Sequence, residues 1–184
     1  MNTTRVHRIF VDFEREERWL NDMAARGLAL VRYTWGTYHF DVCAPGEWTY
    51  RIQLLDADAH AAASTEYLGL AAQAGAEAVT TYRNWVYFRR RSADGPFELF
   101  SDLDSRLAHY RRVLAPYVVI TVVLSVLMAT SVSRLVMSLE EWVGEFAGLP
   151  LFVLYMTLIA VFFIETVRLS RRIRELEGRR RIEE

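Results

Sequence analysis

The chain has 184 residues, a formal charge of −1, and 22 basic residues that are all arginine. That length holds one small domain plus a further element. Its one cysteine, Cys43, excludes an intramolecular disulfide and a cysteine-built metal cluster. Residues 1–105 carry 11 Arg against 15 Asp and Glu, a formal −4, which argues against non-specific nucleic-acid binding.

Met1 to Arg18 is charged throughout and lacks an apolar core, so no secretory signal is expected. Val6–Phe10 reads as an edge strand. Asp12 is a good helix cap, with Glu14, Glu16 and Glu17 in the first turn. Phe13, Glu16, Glu17, Leu20, Met23 and Ala24 keep helical spacing, and Gly27 is the natural stop. Strand-like runs come next at Leu28–Thr34, Thr37–Val42 and Trp48–Leu55. Gly36 and Pro45-Gly46 separate them at hairpin length. A second helix is predicted from about His60 to Ala74, then strands Glu77–Tyr82 and Trp85–Arg91. The expected fold is α+β: a small antiparallel sheet with two helices on one face, a ferredoxin-like split arrangement being the nearest common relative.

Aromatic residues crowd these strands. Core and cross-strand packing is one use for them. A sharper one is a ligand or partner surface made of Tyr38, Phe40, Trp48, Tyr50, Trp85 and Tyr87, on a sheet face that the helices leave open. Pro96, Phe97, Glu98 and Phe100 form a turn read as the segment coupling this domain to the C-terminal half of the chain. Phe97, Leu99 and Phe100 are expected on the sheet, with Glu98 facing Arg89 or Arg91.

The chain then changes character. Ser101 and Asp104 have the spacing of a helix start. Val113–Ser133 and Phe146–Ile164 are uncharged runs of 21 and 19 residues, each about 30 Å as helix, the thickness of a bilayer core. The expected organisation is a cytosolic domain over 1–100, a juxtamembrane helix over 101–112, transmembrane helices over 113–133 and 146–164, an outer loop over 134–145, and a basic helical tail over 165–184. Arg106, Arg111 and Arg112 before the first run, and Arg168, Arg171, Arg172 and Arg174 after the second, place both flanks in the cytoplasm of an inner-membrane protein. The loop, with Glu140, Glu141, Glu145 and one arginine, then lies outside. Tyr110, Tyr117 and Trp142 suit the interfaces. The arginines favour anionic lipid headgroups by about 1 kcal/mol each near the surface.

Thr121, Ser125, Ala129 and Ser133 recur every four residues, a stripe for packing on the second span or on another protomer. Pro116 starts the first span or kinks it. Leu103, Leu107, Tyr110 and Leu114 form an apolar stripe matched by Leu169, Ile173 and Leu176, so both helices are expected to continue past the bilayer as a stalk. Glu165, at the inner end of the second span, is read as snorkelling or pairing with Arg168 or Arg112.

No phosphate-binding loop, dinucleotide fingerprint, zinc motif or nucleophile elbow occurs. His7, His39, His60 and His109 have no ligand spacing, so no metal, cofactor or catalytic residue is expected. His39 and Asp41 share a strand face.

Phe13–Gly27 (FEREERWLNDMAARG), Pro45–Ile52 (PGEWTYRI), Asn84–Arg89 (NWVYFR) and Gly95–Asp102 (GPFELFSD), in that order, resemble the bacterial domain of unknown function 2812. The likeness runs from about Val6 to Arg112. It implies a membrane protein with a similar cytosolic domain, often encoded beside PadR-type repressors, and hence a regulatory or sensory association without a catalytic set. The expected function is a membrane-anchored regulatory or sensory module whose cytosolic domain binds a protein or small ligand. The alternative is an accessory subunit of a larger membrane complex such as an exporter, possible as a homo-oligomer. A third option is an enzyme on a lipid or membrane-bound substrate with His39, Asp41 and Glu98 as acid and base.

Overall fold

The computed structural model describes residues 3–59, 61–99, 103–137 and 148–183, with side chains outside 132–151 and 180–183. The chain divides into two compact units, 1–101 and 102–184.

In the first unit the order is β1 (Thr4–His7), α1 (Phe13–Ala25), β2 (Leu28–Thr34), β3 (Thr37–Val42), β4 (Trp48–Leu54), α2 (Ala62–Gln73), β5 (Glu77–Tyr82) and β6 (Trp85–Arg91). Asp12 caps α1, its Oδ1 accepting the N–H groups of Glu14 and Arg15 at 2.9 and 3.3 Å. Gly27 ends the helix at φ 82°; a Cβ there would meet the Cys43 carbonyl oxygen at 3.0 Å. Trp35 and Gly36, both left-handed at φ 47° and 71°, make the two-residue turn between β2 and β3.

The α+β class and antiparallel pairing hold, but the strands form two three-stranded sheets, β1–β3–β2 and β4–β6–β5. The expected β3–β4 hairpin does not form. Its connection is tied instead to the end of α1: Gly46 N–H donates to the Ala24 carbonyl at 2.8 Å, and Cys43 N–H to the Gly27 carbonyl at 2.9 Å. The free edge of β4 is met by α1 side chains. Asn21 bonds both the N–H and the carbonyl of Tyr50, at 2.8 and 3.2 Å, and Glu17 accepts the Ile52 N–H at 3.0 Å. A helix thus supplies bonds that a strand would otherwise make. Asn21→Leu keeps the volume and removes both; the urea midpoint of the full chain in detergent, followed by tryptophan fluorescence, should fall by the equivalent of about 1.5–3 kcal/mol with an unchanged slope.

The helices also take opposite faces. Leu20, Met23 and Ala24 of α1 pack with Leu30, Tyr38, Phe40, Tyr50, Ile52 and Tyr87, drawing on both sheets. On the other face of β6, Val86 and Phe88 pack with Ala76, Phe97 and, from α2, Tyr67, Leu68 and Ala71. Strand alternation explains this: Tyr87 turns one way, Val86 and Phe88 the other, and both faces are apolar enough to need cover.

The second unit is a pair of long helices, α3 (Leu103–Met137) and α4 (Gly148–Glu183), of 35 and 36 residues. Pro116 lies inside α3 and does not end it. They run antiparallel: Arg111 pairs with Glu177 at 2.6 Å, while Thr121, later in α3, meets Thr166, earlier in α4, at 3.5 Å. Among the less exposed positions, one row on each helix runs in steps of three and four: Leu103, Leu107, Tyr110, Leu114, Tyr117, Thr121, Leu124 and Met128 on α3, and Tyr155, Ile159, Phe162, Thr166, Leu169, Ile173 and Leu176 on α4. That is the heptad period of an antiparallel coiled-coil seam, with Tyr117 and Phe162 in ring contact at 5.9 Å. His109 and Val113 of α3 are buried beside that row. Both helices are long and apolar enough to cross a membrane.

Candidate functional site

Helical spacing that turns Leu20, Met23 and Ala24 inward turns Glu16 inward too. Its carboxylate lies in the core between the two sheets. Oε1 accepts the hydroxyl of Tyr38 from β3 and that of Tyr87 from β6, both at 2.6 Å. Burial pushes the Glu16 carboxyl above its ordinary 4.5, while the two tyrosine hydroxyls pull it down. The same burial, and then the Glu16 charge, push both tyrosines well above 10. Tyr33 packs on Tyr38 and Tyr87 at ring distances of 4.7 and 5.2 Å and closes the cluster. Glu17, one position on, is also raised by burial, with the Ile52 N–H and then Arg51 opposing.

The raised Glu16 value has a sign. A carboxyl that binds its proton more tightly when folded stabilises fully below 4.5, and that contribution is lost as pH rises through the folded value. Glu16→Gln keeps an oxygen for both tyrosines and does not titrate. Its urea midpoint should therefore gain on the wild type as pH rises from 4.5; parallel pH profiles would show that Glu16 is not desolvated.

The six aromatics assigned to a partner surface separate. Tyr38, Phe40, Tyr50 and Tyr87 are buried in the α1 core, because α1 covers the face that carries them. These four are a correction to the surface reading. Tyr50 spans the sheets: its hydroxyl oxygen accepts the Leu30 N–H at 2.8 Å, and burial pushes it up to about 12. Trp85 is half-buried against Phe13. Trp48 is half-buried and flanked by two cations, the Arg89 and Arg91 guanidiniums lying 4.2 and 5.5 Å from its ring centroid. Arg89 is held by both carboxylate oxygens of Glu77, at 2.8 and 2.7 Å, so Glu77 takes the place expected of Glu98 at Arg89.

In the coupling segment, Phe97 is buried on the β6 face with Leu99 packed beside it; Pro96 and Glu98 are exposed. Phe100 lies outside the described residues. His39 faces Arg5 and Arg32, and slight desolvation followed by those two charges lowers its pKa. Asp41 accepts a bond from the Thr3 hydroxyl at 3.0 Å. Sequence spacing did not foretell how far Trp35 projects: it is 76 % exposed at the β2–β3 turn. The signal was there in its place beside Gly36, where a ring cannot turn inward with the strand.

The small-residue stripe separates too. Thr121 meets α4, whereas Ser125 and Ala129 are exposed. Steps of four residues advance about 40° per step around a helix, so such a stripe winds away from a seam of period 3.5. Ser125 bonds back to the Thr121 carbonyl at 2.8 Å. The side chain of Ser133, like Trp142 and most of the connection between α3 and α4, lies outside the described residues. Glu165 and Arg168 pair at 3.7 Å, one of the two pairings expected of Glu165.

A sequence model of a family described as "Protein of unknown function (DUF2812)" matches residues 12–122. No curated protein and no solved structure matches the chain.

Proposed function

We propose that this chain, which belongs to the DUF2812 family, is a membrane-anchored regulatory or sensory module. The observation that carries the reading is the exposed surface of α3 and α4. Val119, Val122, Val123 and Val126 on one helix, and Val153, Leu154, Phe163 and Ile164 on the other, are half or more exposed. Surface of that extent and length calls for lipid around it. Arginines flank the two runs on the side of both chain ends and acidic residues fill the loop between, which supports a cytoplasmic first unit and tail at the inner membrane. Anionic headgroups are the natural neighbours of Arg168, Arg171 and Arg172.

The first unit then acts as the binding part rather than a catalytic one. Trp48, with Arg89 and Arg91 over its ring, is the remaining element of the aromatic surface suited to an anionic or aromatic group of a protein or small ligand. Full-length protein purified from native membranes should retain a partner or small molecule in fixed ratio, and Trp48→Ala/Arg91→Ala should lose it. Equal retention by both, or nothing but lipid on the wild type, contradicts the reading.

Exposed Ser125 and Ala129 favour a second reading, an accessory subunit packed on another membrane helix through close backbone approach. Ser125→Leu should then release the chain from its assembly in mild detergent. A monomer before and after the substitution removes that option.

A further inference from the structure

The face of the β1–β3–β2 sheet away from α1 carries a charge that the chain leaves unanswered. Val6, Leu30, Tyr38 and Phe40 point to the α1 core. Alternation turns Arg5 and His39 the other way, and the register shift between Leu30 and Arg32 brings Arg32 opposite His39 on that same outer face. Arg5 of β1 and Arg32 of β2 both stand opposite His39 of β3, one from each side. Three basic side chains thus form one row across three strands, in a domain whose net charge is negative. Like charges directly opposite repel. Among the described residues neither guanidinium has a carboxylate within ion-pair distance; Asp41 shares their face, where it accepts a bond from the neutral Thr3 hydroxyl, and its single charge falls one short of the two arginines. The remaining balancing charge has to be an anion from outside the chain.

The hairpin end of the same strands is apolar. Trp35 and Ile9 are 76 % and 72 % exposed, and Ile9 lies against Gly36 beside His7 of the outer face. Guanidiniums next to a projecting tryptophan and isoleucine match the layered chemistry of a bilayer surface, with phosphates outermost and an amphipathic layer beneath. An acidic protein would answer the arginines but gives no separate account of the apolar tip. A bilayer is also within reach. Four residue steps, at most about 14 Å, join Leu99 to Leu103, and ten helical residues, about 15 Å, lead on to the uncharged run at Val113.

We infer that the outer face of the β1–β3–β2 sheet docks on an anionic bilayer, Arg5 and Arg32 against headgroup anions and Trp35 and Ile9 in the interfacial layer. This rests on the reading of the chain as membrane-anchored. The test uses the full chain in nanodiscs of phosphatidylcholine, alone or mixed with phosphatidylserine, containing a lipid that bears a quencher near its headgroup. In a Cys43→Ser background a bimane is attached at Thr34→Cys, at Val122→Cys on α3, or at Ala72→Cys on α2. The label at 122 should be quenched in both lipids and the label at 72 in neither. The label at 34 should be quenched severalfold more with phosphatidylserine, and Arg5→Gln/Arg32→Gln should remove that difference. Quenching at 122 with none at 34 overturns the docking surface and leaves the membrane reading standing. Protection of 34 without quenching, equal in both lipids, marks a protein occupant and overturns it as well. Absence of quenching at 122 removes both readings together.

Discussion

Glu16→Ala should lower the stability of the first unit by about 3 kcal/mol, a fall in thermal midpoint of some 12–24 °C for a domain of this size. The loss comes from what the carboxylate leaves behind. Tyr38 and Tyr87 each donate to the same Glu16 oxygen at 2.6 Å from inside the core. Without it two buried hydroxyls have lost that acceptor, and each such group costs about 1–3 kcal/mol. Relief of the buried carboxylate's own desolvation offsets part of this, which keeps the figure below the sum. A triple variant, Glu16→Ala/Tyr38→Phe/Tyr87→Phe, should recover part of the loss, since no orphan hydroxyl remains. Tryptophan fluorescence of the full chain in detergent during heating reads each variant. A triple variant less stable than Glu16→Ala would show that the hydroxyls have other acceptors.

Val123→Arg is the second large effect, and its sign separates two environments. Val123 is 50 % exposed near the middle of the first uncharged run. In water, arginine at an exposed helix position changes stability by a few tenths of a kcal/mol and aids solubility. In the centre of a bilayer span it costs about 2.5–3.5 kcal/mol of insertion, roughly a hundredfold in partition. The variant should leave a much smaller fraction of the chain in membranes after alkaline carbonate extraction. An unchanged fraction would mean that α3 does not lie in hydrocarbon at Val123.

Much of this was legible in the residues themselves. Asp12 and Gly27 bracket α1 because capping and left-handed termination are local chemistry. The strand limits are set by Gly36, Pro45-Gly46 and Gly75. Helical spacing already placed Glu16 and Glu17 among the inward positions of α1. Their partners were not legible: Tyr38 and Tyr87 lie 22 and 71 residues away, and only the meeting of two sheets at one helix brings them together. The β3–β4 hairpin was expected because Pro45-Gly46 has the right length, and the spacing says nothing of Asn21 taking the free edge of β4. The aromatic surface was misplaced for a related reason. Alternation sorts Trp85 and Tyr87 from Val86 and Phe88, but only tertiary packing decides that α1 covers one set and α2 the other.

The claim on which the account depends is that α3 and α4 cross a bilayer as a hairpin. Paired reporters, alkaline phosphatase and green fluorescent protein, fused at Glu141 and after Glu184, test it most directly. Phosphatase activity at Glu141 with fluorescence after Glu184 is the predicted result. Fluorescence at both positions, or a chain that stays monodisperse in buffer without detergent, would contradict it.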